Sequence, residues 1–266
     1  MVDIEKTQPL RVLSLGWGVQ SWTLAAMAAL GEIPPVDYAV HADTTHEMAG
    51  TYEHAARWTP WLEEHGVKVV TVQEGRSEVV REDHHGSVMI PAFTDNGDSA
   101  GQVRRQCTGD WKIMPIRRFL RSVLPRRPGP GAVTLVLGIS LDEWHRMRTS
   151  DVKYIDHDYP LVDLRISRAS CVAWLEAHGL EVPPKSGCSF CPYTTLARWR
   201  ERKGHGGSDW ENAVLVDLAI RNKRPGYTLY LHPSRKPLPE AVQSLADTGQ
   251  MEMDIEAACD GGYCFV

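Results

Sequence analysis

Six cysteines stand at positions 107, 171, 188, 191, 259 and 264. Cys188-Ser189-Phe190-Cys191-Pro192 is the most chemical of their settings. A Cys-x-x-Cys turn can direct two thiolates at one metal ion or one cluster edge. Taken alone it reads equally as half of a zinc site, half of a cluster site or a redox pair, against the plain alternative of two inert buried thiols. Cys107 follows Arg104 and Arg105 and precedes Lys112, so cations surround it in sequence. Cys171 lies beside Val172 and Trp174 in a helical stretch and reads as a core residue. Six cysteines in a chain of this size do not form a disulfide scaffold pattern.

A second chemical feature is the turn Ser14-Leu15-Gly16-Trp17-Gly18-Val19-Gln20-Ser21. It lies between a strand candidate and a helix candidate. Backbone N–H groups and a helix N-terminus make an anion site there, Gly16 and Gly18 permit close approach, and Ser14 and Ser21 add hydroxyls. The turn has no Walker lysine and does not fit Gly-x-Gly-x-x-Gly. His41-Ala42-Asp43-Thr44 ends the second strand, where open α/β sheets bind ligands. Gly138-Ile139-Ser140-Leu141-Asp142-Glu143 follows an apolar strand. Asp142 and Glu143 are candidate ligands for Mg²⁺ or for a polar substrate, and equally plain helix-start acids. Arg146 and Arg148 have the fork geometry for bidentate phosphate contact.

The elements that must hold these residues alternate. Strands are expected at Arg11–Leu15, Val36–His41, Val67–Val72 and Ala132–Gly138, the last buried on both faces, and a short one at Leu229–His232. Helices are expected at Gln20–Leu30, at Glu47–His65 with Pro60 kinking or dividing it, at Ile113–Val123, at Ser167–His178 with Ser167 as N-cap, at Thr194–Lys203 and at Asp209–Asn222. Arg76 to Gly101 lacks periodicity and reads as an irregular, lid-like excursion. The expected fold is α/β, a doubly wound and mostly parallel sheet with a small C-terminal helical extension. A nucleotide-binding domain is expected over 1–204, and an extension packed on it over 205–266.

Length and composition agree with one sizeable core: 266 residues, 42% hydrophobic and 24% charged. A net charge of −5 leaves no global footprint of nucleic-acid binding, although arginines cluster around Cys107 and over Arg198–Lys203. The polar N-terminus lacks a signal-peptide core and no apolar run is long enough to span a bilayer, so a cytoplasmic protein with no membrane partner is expected.

Together these motifs resemble the adenine nucleotide alpha hydrolase and phosphoadenosine phosphosulfate (PAPS) reductase-like superfamily of PP-loop ATP pyrophosphatases, in a phage-type branch. The loop is similar to the family's Ser-Gly-Gly-x-x-Ser, with Trp17 where a small residue is usual. The 41–44 segment resembles the piece that contacts adenosine, and Gly138–Glu143 the Gly-x-x-x-Asp-Glu segment. Cys107-Thr108-Gly109-Asp110-Trp111-Lys112-Ile113-Met114-Pro115 resembles Cys-Cys-x-x-x-Lys-x-x-Pro of adenylyl-sulfate reductases, with Thr108 at the second cysteine. With Cys188 and Cys191 it implies a [4Fe–4S] cluster on three thiolates, zinc being the alternative. The fourth position is left to Cys264, Cys259, substrate or nothing.

The resemblance implies ATP and Mg²⁺ as cofactors. It places Ser14, Gly16, Trp17, Gly18, Val19, Gln20, Ser21, His41, Asp43, Thr44, Gly138, Arg146 and Arg148 at the nucleotide, and Lys112, Asp142 and Glu143 at the chemistry. The expected activity is adenylation of a substrate oxygen followed by sulfur transfer. The acceptor is a nucleobase, a backbone phosphate or a small metabolite; the donor is unidentified and a homodimer is left open. A sulfonucleotide reductase is the second reading, with a tail cysteine as nucleophile. A non-catalytic nucleotide-binding module with structural zinc is the third.

Overall fold

The computed structural model describes residues 8–75, 77–82 and 87–244. The central sheet holds β1 (Leu10–Ser14), β2 (Tyr38–Asp43), β3 (Val69–Gln73), β8 (Val133–Val136) and β9 (Ile155–Asp158) in the order β3-β2-β1-β8-β9. Every pairing is parallel. The chain builds outward from β1 through β2 and β3, then returns to the other side of β1 with β8. The switch point, with its crevice beyond the carboxyl ends, therefore lies between β1 and β8.

Period-two alternation sends Leu13, Ala39 and Val136 to one face of the sheet and Val12, Val40 and Leu135 to the other. The first face is covered by α1 (Val19–Ala29), α2 (Ala49–Glu64) and α5 (Arg168–Ala177), which contribute Trp22, Leu62, Cys171 and Leu175. The second is covered by α3 (Met114–Val123), through Ile116 and Leu120. Helices on both faces make the sheet doubly wound. α1 is buried on every side from Val19 to Ala28, which accounts for its Ala-rich sequence. Ser167 caps α5, its hydroxyl accepting from the Ser170 amide.

The excursion expected between Arg76 and Gly101 carries structure instead. β4 (Val80–Arg81) pairs with β5 (Ser87–Val88), and β6 (Phe93–Asp95) with β7 (Ala100–Gln102) and, from far along the chain, β10 (Thr228–Tyr230). Strands of two or three residues are too short to show alternation in a sequence. β9 was also missed: Ile155-Asp156-His157-Asp158 is an edge strand with one apolar residue. Pro60 lies inside α2 without dividing it.

A separate apolar core lies around Ile90, Trp111, Phe190 and Trp199, closed by α6 (Leu196–His205), α7 (Ser208–Ile220), β10 and α8 (Leu238–Ser244). Helix α6 runs across the boundary expected at residue 204, and its Trp199 shares this core with Trp111 and Ile90. α4 (Pro160–Asp163) is a single turn after β9. No helix among the described residues is long and apolar enough to cross a membrane.

Candidate nucleotide and sulfur site

The crevice at the switch point opens into one cavity that runs from the phosphate-type loop to the cysteines. Ser14, Gly18, Gln20 and Ser21 line one end, with Leu137, Gly138 and Ile139 from the end of β8. Cys107, Cys188 and Cys191 line the other. Among the described residues, seven cationic side chains border the space, Arg105, Lys112, Arg146, Arg168, Lys185, Arg198 and Arg202, against the single carboxylate of Glu143. The chain is acidic overall, so this concentration of positive charge is local and suits a polyanion.

The loop is shaped from within. The Gly16 amide donates to Ser21 Oγ at 3.1 Å, and Ser21 Oγ donates to the Gly18 carbonyl at 3.3 Å. Trp17 takes a left-handed conformation, φ +55°. That costs a non-glycine residue about 1–2 kcal/mol. Its indole is 1% exposed and packs 5.9 Å from Trp22 and 5.8 Å from His54, centroid to centroid. Trp17 and Val19 therefore meet a ligand through their backbone only; their side chains belong to the core.

Gly138 is required by close approach. A Cβ there would stand 2.9 Å from the Ser21 amide nitrogen, because the end of β8 crosses the first turn of α1. On the other side Ser186 presses on Gly18, its hydroxyl 2.7 Å from where a Cβ would be. Lys185, Ser186 and Gly187 thus close over the loop and lead directly into Cys188.

The other expected site residues divide. Thr44 lines the cavity. Asp43 does not: its carboxylate accepts from the Thr45 amide at 2.7 Å, Tyr52 Oη at 2.8 Å and Gln73 Nε2 at 2.6 Å. Burial pulls its pKa up, but these hydrogen bonds outweigh that and hold it below the usual range. His41 donates Nδ1–H to the Leu15 carbonyl at 3.0 Å and is kept neutral chiefly by burial. It braces the base of the loop and borders a small void beneath it, with Ser14, Gly16, Glu47 and Lys112.

Asp142 and Glu143, candidates for Mg²⁺ or a polar substrate or plain helix-start acids, are both engaged by protein groups. Asp142 accepts from the Arg168 amide at 2.9 Å at the start of α5. Glu143 has both oxygens engaged, Oε2 by Gln20 Nε2 at 3.1 Å and Oε1 by Arg146 at 2.5 Å. Arg146 lines the cavity, whereas the Arg148 guanidinium turns to the carbonyls of His145 and Met147. Arg148 thereby leaves the expected phosphate set.

The cysteine end is built by a π-helix, Thr108–Ile113, which follows Cys107. With i→i+5 bonding, residues four and five apart share a face. Cys107, Thr108, Trp111 and Lys112 consequently all reach the cavity. The β2–α2 loop is strapped to the Cys-x-x-Cys turn by backbone hydrogen bonds: the Met48 amide to the Gly187 carbonyl at 3.0 Å, and the Ser189 amide to the His46 carbonyl at 2.9 Å.

Between these segments lies Glu47, which sequence reasoning missed. It sits at the start of a stretch read simply as helix, and no motif marks it. Its Oε1 accepts from Thr44 Oγ1 and from Lys112 Nζ, both at 3.2 Å, while Oε2 is buried without a partner. Because Thr44 spends its hydrogen on the carboxylate, the Cys188 thiol is the donor in its 3.6 Å contact with Thr44 Oγ1. Burial pushes the Cys188 pKa up, the Glu47 carboxylate adds to this, and Lys112 opposes it.

Cys107 also acts electrostatically on Cys188, Tyr193 feels both Cys191 and Cys107, and Arg202 feels both Cys191 and Cys188. The three thiols are therefore neighbours around one space. Among the described residues no three His, Cys, Asp or Glu side chains close on a common metal-ion position. Arg198 and Arg202, four apart on α6, face the cavity, and Arg105 lies over the Tyr193 ring at 5.2 Å. Cys264, like Cys259, lies outside the described residues.

No protein-family model matches the chain, and no curated protein does. Several solved structures are similar to it, two of them as follows. One is a PAPS reductase from Candida auris in a phosphate complex, at 14% identity over 66% of this chain and 75% of that one, with a TM-score of 0.45. The other is a U34-tRNA thiolase from Methanococcus maripaludis with its [4Fe-4S] cluster, at 16% identity over 81% of this chain and 73% of that one, with a TM-score of 0.42. At that level neither likeness speaks to what this chain binds or does.

Proposed function

We propose that this chain is an ATP-dependent enzyme that adenylates a substrate oxygen and then replaces that oxygen with sulfur. One observation carries the reading: a single cation-lined cavity joins a strand–turn–helix phosphate loop to three cysteines. In the first step the substrate oxygen attacks the α-phosphorus of ATP, and the bond to pyrophosphate breaks. The loop amides and the N-terminus of α1 stabilise the charge that develops on the leaving pyrophosphate. In the second step a sulfur nucleophile displaces AMP from the activated carbon or phosphorus.

Cys107, Cys188 and Cys191 fit a [4Fe–4S] cluster by donor type and placement. They are soft sulfur donors lining one cavity, next to Arg105, Lys112, Arg198 and Arg202, which offset thiolate charge. Cys107, Cys188 and Cys191 would hold such a cluster, which would supply iron able to bind sulfur. Each thiol must lose its proton to ligate, and Lys112 favours the thiolate at Cys188. Asp142 and Glu143 are bonded to protein groups and do not fit a Mg²⁺ site as arranged.

The test is product analysis. The anaerobically purified full chain, with ATP, sulfide and candidate acceptors, should release AMP and pyrophosphate in equal amounts. Release of ADP and inorganic phosphate would refute adenylation.

A further inference from the structure

Arg168 was marked by no sequence motif, yet it stands at the phosphate loop. Its Nη1 donates to Gln20 Oε1 at 2.7 Å, and Gln20 lies in the first turn of α1. The same amide donates from Nε2 to Glu143 Oε2, whose other oxygen holds Arg146. Arg168, Gln20, Glu143 and Arg146 thus form one polar chain bordering the cavity. Gln20 is 8% exposed and the Arg146 side chain 9%. A buried amide bonded at both ends cannot turn over without losing both bonds, so it fixes where the Arg168 fork points.

This cluster is electrostatically incomplete. Neither α1 nor α5 has an acidic residue in its first turn, where an anion would normally offset the helix dipole. Arg168 instead adds a cation at the start of α5, and Arg146 adds another. Among the described residues, Glu143 is the one carboxylate on the cavity wall. Arg146 Nε is buried and has no hydrogen-bond partner. A donor buried without an acceptor is destabilising, a cost that a bound anion removes.

We propose that Arg146 and Arg168 form a clamp for the distal phosphates of the nucleotide, with Gln20 and Glu143 as the positioning residues that aim it. The clamp makes phosphate-chain length a specificity determinant: tri- and diphosphate groups engage it, and a monophosphate does not. This rests on the nucleotide-binding reading above.

Calorimetric titration of the full chain with ATP, AMP and inorganic pyrophosphate tests it. Arg168→Ala should weaken ATP and pyrophosphate by about 10- to 100-fold and leave AMP within about 2-fold. Arg168→Lys keeps the charge without the fork and should fall between. Gln20→Ala should weaken ATP in the wild-type background and clearly less in the Arg168→Ala background, where only its link through Glu143 to Arg146 remains to be lost. If Arg168→Ala weakens ATP and AMP alike, or weakens neither, the clamp is wrong while nucleotide binding stands. If the wild-type chain binds neither ATP nor pyrophosphate, the nucleotide reading falls and takes the clamp with it.

Discussion

Lys112 Nζ lies 3.2 Å from Glu47 Oε1, an ion pair whose side chains are 14% and 3% exposed. It joins the loop after β2 to the π-helix that follows Cys107. A buried pair costs most when only one partner is removed, because the other charge stays unpaired. Glu47→Ala should lower unfolding stability by about 3–5 kcal/mol, and Glu47→Ala with Lys112→Met by clearly less than the sum of the two single changes. Urea unfolding of the four proteins measures this. Additive losses would show that the pair does not couple.

Gly138 carries a second structural prediction. Its missing Cβ leaves room for the Ser21 amide, only 2.9 Å from where that atom would be. Gly138→Ala has to displace either the end of β8 or the first turn of α1, at roughly 1–3 kcal/mol. A lowered Tm together with weaker ATP binding is expected. An unchanged Tm would mean that the two segments separate freely.

Iron content separates the cysteines. Cys107→Ala, Cys188→Ala and Cys191→Ala, each purified anaerobically, should lose iron and sulfide, against about four iron per chain in the parent. Cys171→Ala should keep both, since Cys171 lies on the core-facing side of α5, where burial raises its pKa to about 11. Zinc in place of iron under strict anaerobiosis would overturn the cluster and the sulfur-transfer step with it.

Acid should destabilise the fold through two buried histidines. His54, edge-on to Trp17 and Trp22, has its pKa lowered by burial to about 4, and burial lowers His232 to about 4 as well. Unfolding returns each to about 6.5. Between those values the unfolded chain binds more protons, so stability is full above pH 6.5 and falls as the pH drops toward 4. The loss amounts to at most ~3 kcal/mol per histidine. Urea unfolding between pH 7.5 and 4.5 should show this slope, and His54→Phe should reduce it. An unchanged slope would mean that His54 does not titrate on unfolding.

Local pattern was sufficient for much of the architecture. The apolar runs at Leu10–Ser14 and Val133–Val136 and the Ala-rich α1 read correctly because each is long or apolar enough for its period to show. The π-helix was hidden inside what looked like an α-helical start. β4 to β7 were hidden by their length, and β9 by its polar edge. Glu47 and Arg168 were invisible for another reason: each matters through partners 65 and 148 residues away, Lys112 and Gln20.

By itself the sequence determined that the chain alternates strands and helices, that a glycine-bearing turn joins the first strand to the first helix, and that cysteines recur at Cys107 and in a Cys-x-x-Cys turn. These are matters of residue type and short spacing, set by backbone sterics and side-chain chemistry within a few positions. Only the tertiary structure decided that Trp17 serves the core, that Asp43 braces a turn, and that Arg148 turns away while Arg146 and Arg168 face the crevice. It also placed the three cysteines at one end of the loop's own cavity. The physical reason is that burial and charge pairing depend on which distant segments meet, and the order of strands around β1 sets that.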